Sequence, residues 1–288
     1  MHPVLFHIGP LLIPAHGAFS LAALLVAIWF IRRHARLEGR DPSKTTDALV
    51  LTVAVGYVGA RLFDVAIHWQ QYVASPEKAK LLLVSSGALV GALITAVPFA
   101  VFWFRHIKLP VLLGLDLFGL VLAVLEGVGR WGCFFAGCCY GTPTDLPWGV
   151  RFPEIAQKMH PGLPAVPVHP TQIYSSLAGL AILGVLVLLY RRKRFHGAII
   201  TSYLVLYSIT RFLLEFLRGD PQRGFVFGGL LSTTQFVCIF LAVGGAAGYL
   251  FLDRRHRRSH EPDWSPATSA PLPRQGRDQR GRPAEGRR

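Results

Sequence analysis

Two stretches of this chain, Leu81–Phe104 and Phe225–Leu252, contain no Asp, Glu, Lys or Arg. A helix needs about 20 consecutive apolar residues to cross the hydrocarbon core of a bilayer. Both runs meet that length. Within hydrocarbon the backbone must satisfy its own hydrogen bonds, which restricts a spanning apolar run to helix. Charged residues make up only 16% of the chain, against about 25% in soluble domains. The sequence therefore predicts an all-α, polytopic integral membrane protein. About seven transmembrane helices are expected, near 13–31, 47–68, 81–104, 110–128, 171–190, 197–217 and 225–252. The opening MHPVLFHIGP has no basic n-region, so the first apolar run is expected to stay as a helix and not to be cleaved as a signal peptide. No internal repeat is visible, which sets the chain apart from transporters built on paired broken helices.

The net charge of +14 would suit nucleic acid, but its placement argues against that partner. Ten of the thirty basic residues lie in 253–288, and others flank the apolar runs, as topogenic charge does. Arg32, Arg33, Arg36, Arg40, Lys44, Arg105, Lys108, Arg191, Arg192, Lys193 and Arg194 occupy alternate connections. With Arg254, Arg255, Arg257 and Arg258, that side leads the other by fifteen to seven. The positive-inside bias makes it cytoplasmic. The N-terminus is then expected outside and the C-terminus inside. The domain reading is a seven-helix membrane domain over 1–252, with an outer-face loop over 129–170, then a disordered basic cytoplasmic tail over 253–288. The cluster RRHRR (254–258) suits anionic inner-leaflet lipid.

Ionisable residues inside a span are costly, so they mark function by default. Arg61 and Asp64 share a face of the second span, Asp116 and Glu126 lie in the fourth, and Arg211, Glu215 and Arg218 share a face of the sixth. Arg61 and Asp64 are equally readable as a structural pair. Arginine presents a planar, permanent charge that suits phosphate. Two arginines at one depth suggest a phospholipid headgroup.

The segment GRWGCFFAGCCYG (129–141) joins Arg130 to glycines and to Cys133, Cys138 and Cys139. Its GVGRWG string matches a dinucleotide fingerprint only formally, because it follows a membrane helix and not a strand. The glycines are expected to let the backbone turn and approach a ligand. The cysteines remain open between a thiol site, metal ligands, a disulfide and apolar packing. Their spacing is not a usual zinc pattern, so no metal and no cofactor is expected. HPTQIY (169–174) opens the fifth span, where His169 is a candidate general base.

Taken in order along nearly the whole chain up to about 240, these segments resemble the prolipoprotein diacylglyceryl transferase family. GARL (59–62) and SGALVG (86–91) match motifs of its second and third helices. GRWGCFFAGCCYG is similar to its Gly-Arg-x-Gly-Asn-Phe-x-Asn-Gly-Glu-x-x-Gly signature. HPTQIY, RFLLEFLRGD (211–220) and GGLLSTTQ (228–235) follow. The resemblance implies transfer of diacylglyceryl from phosphatidylglycerol to the lipobox cysteine of prolipoprotein signal peptides in the bacterial inner membrane. It implies Arg130 and Arg211 as headgroup and leaving-group contacts, Glu215 as their positioning partner, and Gly141 as a tight backbone site; the in-span arginine Arg61 and the helix-end Arg218 are further phospholipid-binding candidates. The chain also departs from the family. Ser86 stands for a histidine, His16 for a tyrosine, Cys133 and Cys138 for an asparagine and a glutamate, and Ser175 and Thr234 for a glutamate and a glycine. His169 or His16 would then supply the base, with Ser86 lining the cavity. Two other readings stay open: a non-catalytic phospholipid-binding protein, and a membrane thiol enzyme using Cys138 or Cys139.

Overall fold

In chain order, the computed structural model describes residues 4–8, 11–74, 89–160, 162–219 and 224–259. A short antiparallel hairpin, β1 (Val4–Ile8) and β2 (Leu11–Pro14), leads into α1 (Ala15–Leu37) and α2 (Pro42–Ala74). Then come α3 (Leu89–His106), α4 (Val111–Ala136), the short α5 (Glu154–Met159), α6 (Thr171–Arg192) and α7 (Ala198–Glu215). A second hairpin, β3 (Phe225–Val226) and β4 (Leu231–Ser232), precedes α8 (Thr233–Ser259).

Local chemistry sets these boundaries. Gly39 adopts a left-handed φ of 62° after α1, and Arg40 N–H closes back onto the Ala35 carbonyl at 2.8 Å. Asp41 Oδ1 then accepts from Ser43 N–H at 2.8 Å, and Pro42 takes the first helical position, where its missing N–H costs nothing. Ser232 and Gln235 form a reciprocal capping box at the start of α8. The Gln235 amide donates to Ser232 Oγ at 3.1 Å, and Ser232 N–H donates to Gln235 Oε1 at 3.0 Å.

Among the described residues, α1, α2 through Gln70, α4, α6, α7 and α8 are long and apolar enough to cross a membrane, and α3 from Val90 is a shorter apolar helix. The all-α polytopic architecture stands, with six long spans and one short one. Residues 81–88, expected within the third span, lie outside the described residues. Rows of exposed Leu, Val, Ile, Phe and Trp, such as Leu21, Leu25 and Trp29 on α1 and Leu93, Ile94 and Val97 on α3, give the bundle the apolar exterior that lipid requires.

The central helix is α4, which packs against α1, α6 and α7. One core joins Ala27, Ile31, Leu49, Phe104, Leu113 and Leu117 across α1 to α4. A second joins Leu120, Ile182, Leu186 and Ile199 across α4, α6 and α7.

Two expected boundaries move. The outer loop was expected to begin at 129, but α4 continues to Ala136 and ends only at left-handed Gly137 (φ 81°). The glycines before it serve helix contacts. A Cβ at Gly127 would meet Leu180 at 2.8 Å, and one at Gly132 would meet the His16 backbone at 3.0 Å. Small residues let membrane helices approach closely in this way. The disordered tail was expected from 253, but α8 runs on to Ser259. Arginine is a good helix former, and Arg257 Nε pairs with Asp253 Oδ2 one turn back at 2.9 Å.

At the bundle end formed by the C-termini of α1 and α6 and the N-termini of α4 and α7, Asp116 is fully buried. Its carboxylate accepts from Gly197, Ile199 and Ile200 N–H at 2.8–3.0 Å. It thereby caps α7 from another helix, satisfying donors that a helix start leaves orphaned. Lys193 Nζ lies 3.6 Å from Asp116 Oδ2 and 2.7 Å from Glu38 Oε1, and Tyr190 donates to the same Glu38 oxygen. This in-span charge holds the fold.

Candidate active site

At the opposite end of α4 the sequence motifs meet. Residues 140–142 of the signature form its hub. Gly141 N–H donates to the His169 carbonyl at 3.0 Å, and His169 N–H donates to the Thr142 carbonyl at 3.0 Å. Thr142 N–H reaches the Leu217 carbonyl at 2.8 Å, and Gly219 N–H reaches the Tyr140 carbonyl at 3.1 Å. The signature strand is thus threaded between HPTQIY and the end of RFLLEFLRGD. A Cβ at Gly141 would lie 2.6 Å from His169 Cβ and 2.7 Å from the carbonyl oxygens of His169 and Leu217, so only glycine fits.

Two side chains of α6 clamp the cysteine pair from below. Thr171 Oγ1 donates to the Cys139 carbonyl and Gln172 Nε2 to the Cys138 carbonyl, both at 2.7 Å. One turn on, Ser176 Oγ donates to the Gly127 carbonyl of α4. The loop itself has a small core of Tyr140, Phe152, Ala156, Leu163 and Val168. It is therefore an ordered cap on the bundle.

The arginines sit just inside this cap. Arg130 Nε binds Glu126 Oε1 at 2.8 Å, with both side chains four-fifths buried. Arg211 Nη2 binds Glu215 Oε2 at 2.9 Å, and Glu215 is 1% exposed. Glu126 and Arg211 line one small cleft with Ser175, Tyr207, Thr210 and Leu214. Tyr207 lies within electrostatic reach of Glu126, Arg211 and Arg130 together. One member of each arginine–carboxylate pair, Glu126 of α4 and Arg211 of α7, therefore lines a common cleft between α4, α6 and α7.

A second cavity of about 410 Å³ lies between α2, α3 and α4. Its lining is apolar apart from Thr52 and Tyr57, and it includes Leu122 and Leu125, next to Glu126. Arg61 lies against this groove, its guanidinium 4.9 Å from the centre of the Tyr57 ring. Asp64, a possible structural mate for Arg61, accepts from Tyr72 Oη at 2.7 Å and lies 3.2 Å from His68 Nδ1.

The remaining candidates are distributed around the cap. His169 is half-buried, its Nδ1 3.4 Å from Tyr174 Oη, which also accepts from Trp148 Nε1 at 2.8 Å. His16 is exposed at the start of α1 beside Gly132, with Ser20 Oγ 3.4 Å from its Nδ1. Arg218 follows Glu215 directly into the cap, where it bridges Gly141. Ser86 lies outside the described residues. The sulfurs of Cys133, Cys138 and Cys139 lie within 4.8 Å of one another. Hydrogen bonding to the Cys133 and Cys139 sulfurs, with burial added, pushes the Cys138 thiol well above the usual thiol range. Glu126 is the functional residue that sequence reasoning left without a role. Its signal was the i, i+4 spacing to Arg130.

A bundle of apolar helices holding two buried arginine–carboxylate pairs beside an apolar groove defines a membrane protein built to handle an anionic lipid. The model of the prolipoprotein diacylglyceryl transferase family matches residues 3–251, and the chain belongs to that family. It is 33% identical over 251 residues to the phosphatidylglycerol–prolipoprotein diacylglyceryl transferase of Clostridium tetani, covering 85% of this chain and 95% of that one. It is 36% identical over 252 residues to such a transferase, numbered 2, of Clostridium perfringens, covering 86% and 94%. Symbiobacterium thermophilum has a relative at 33% over 258 residues, covering 89% and 95%.

Proposed function

We propose that this chain transfers a diacylglyceryl group from phosphatidylglycerol to the lipobox cysteine thiol of prolipoproteins, the first step of bacterial lipoprotein maturation. The observation that carries the reading is that Glu126, paired with Arg130, and Arg211, paired with Glu215, line one cleft next to an apolar groove. The phosphodiester meets the guanidinium groups while an acyl chain lies along the groove, with Arg61 at its edge. Arg218, held by the cap, adds positive charge to the same headgroup region.

In the reaction a thiol sulfur attacks the glyceryl carbon bonded to the phosphate oxygen. A C–S bond forms, the C–O bond breaks, and the electron pair leaves with glycerol phosphate. Negative charge grows on the leaving phosphate, where fixed guanidinium groups stabilise it more in the transition state than in the bound lipid. Glu126 and Glu215 hold those groups in place, so little reorganisation accompanies the reaction. The thiol reacts as thiolate. His169, fixed by its backbone to the signature strand, takes the proton. His16 is more exposed and serves as the second candidate.

In this reading the protein is a multi-pass component of the bacterial inner (plasma) membrane, with its N-terminus outside and its C-terminus cytoplasmic, as the loop charges suggest. The site then faces outward, where exported lipobox segments present their cysteine. Complementation of a transferase-depleted bacterium, read by the gel shift of a lipoprotein, tests the function. Rescue by the parent chain and loss of rescue in Arg211→Ala are expected. Absence of lipid addition at good expression contradicts the reading.

A further inference from the structure

Cys133, Cys138 and Cys139 are consumed by nothing above. Cys133 closes the last turn of α4, and the other two follow left-handed Gly137. Cys139 itself takes a left-handed φ of 58°, a conformation uncommon outside glycine. With that backbone, all three Sγ atoms lie within 4.8 Å of one another. The geometry is held from outside the loop, because Thr171 and Gln172 bind the carbonyls of Cys139 and Cys138.

We propose that these three sulfurs bind a thiophilic divalent cation of the zinc class, leaving one coordination position open. Zinc–sulfur bonds of about 2.3 Å set the sulfurs of a tetrahedral or trigonal site roughly 3.8–4.0 Å apart. The three thiols need to close by less than about 1 Å to reach that spacing. The sequence expectation of no metal rests on the spacing of the cysteines along the chain, but coordination depends on the left-handed turn at Cys139. A disulfide would use two of the sulfurs and strand the third, whereas a cation engages all three. Three protein ligands with a fourth position free is the arrangement of reactive zinc sites.

Resting on the proposed transferase reading, that open position takes the acceptor cysteine. The acceptor S–H proton passes to His169 and on to water as the metal–sulfur bond forms, because a coordinated thiol is deprotonated. The bound sulfur then makes the new C–S bond as the C–O bond to phosphate breaks. Such a site would activate the acceptor thiol through residues that this chain itself carries at positions 133, 138 and 139.

The test uses the full-length chain in detergent, purified under reducing conditions and supplied with Zn²⁺ alone. About one tightly held zinc per chain is expected, with three sulfur neighbours at about 2.3 Å by X-ray absorption. Addition of a lipobox peptide bearing its cysteine should add a fourth sulfur, and the same peptide with serine should not. Cys133→Ser, Cys138→Ser and Cys139→Ser should each lower zinc content at least about tenfold. Zinc-free protein that fails to take up Zn²⁺, or a disulfide found between two of these cysteines in the active protein, overturns the site. Zinc-free protein with full transfer overturns the thiol-activating role of the site while leaving the transferase reading intact. A metal site that never gains a fourth sulfur from the peptide overturns the thiol-binding role, whatever the transfer assay shows.

Discussion

Gly141 is where three motifs touch, and it sets the most local prediction. A methyl group there meets the His169 and Leu217 carbonyls at 2.7 Å, and backbone cannot yield cheaply. Gly141→Ala should cost about 1–3 kcal/mol of stability and suppress transfer, although it touches no arginine. Gly129, whose added Cβ would meet nothing within 4 Å, is the control. Thermal unfolding in detergent with a parallel transfer assay should show Gly129→Ala near the parent and Gly141→Ala well below it. Equal behaviour would remove the tight-packing account. A second residue-scale prediction concerns Glu126. Glu126→Gln keeps shape but weakens the hold on Arg130, and a charge-assisted hydrogen bond is worth about 1.5–3 kcal/mol. Transfer efficiency should fall about tenfold or more, and unchanged kcat/KM would mean Arg130 needs no positioning. At this scale the sequence was partly legible. Arg130–Glu126 and Arg211–Glu215 are both visible as i, i+4 spacings. The meeting of three thiols is not, because it depends on a left-handed Cys139 that no residue type announces.

At the scale of elements, α7 begins under the control of Asp116 on α4, across a long stretch of chain. Asp116→Ala would leave three amide donors of α7 unsatisfied and Lys193 with Glu38 as its remaining carboxylate neighbour. Breaking a buried ion pair costs about 3–5 kcal/mol. A large drop in thermal stability in detergent is expected, with headgroup residues untouched. A drop no greater than that of a surface substitution would contradict the capping role. Helix positions were legible from hydropathy, since apolar runs long enough to span a membrane leave little choice. Helix ends were not. The sequence reading stops α4 at residue 128, short of Gly129 and Gly132, because Gly destabilises an isolated helix. Inside the bundle, Gly127 and Gly132 are instead the contact points with α6 and α1. The same misreading in reverse ended α8 at Leu252, although its basic turn stays helical to Ser259. Asp116 itself read as a functional candidate, because an in-span carboxylate does not reveal whether it faces substrate or caps a helix.

Across the whole molecule the bundle is polarised. One end carries the ordered cap and the two arginine–carboxylate pairs, and the other carries the Glu38–Lys193–Asp116 cluster. The orientation proposed from loop charge puts the cap outside. Reporter fusions after Ser259 check this: a fluorescent protein should glow and alkaline phosphatase should be inactive, and the reverse would invert the topology. The family is legible in the order of its motifs. The substitution of cysteines into its signature is what made the activity hard to read from sequence. The cleft bears on that difficulty, because Glu126 and Arg211 line it and each belongs to a buried arginine–carboxylate pair, the arrangement the proposed contact with an anionic leaving phosphate requires. The most direct test of that claim is a reconstituted reaction with phosphatidylglycerol vesicles and a lipobox peptide, following glycerol phosphate and lipid-modified peptide together. The account predicts that both appear in equal amounts with the parent chain and that neither appears with Arg211→Ala. Phosphatidylglycerol retained by the pure protein without release of glycerol phosphate would contradict it.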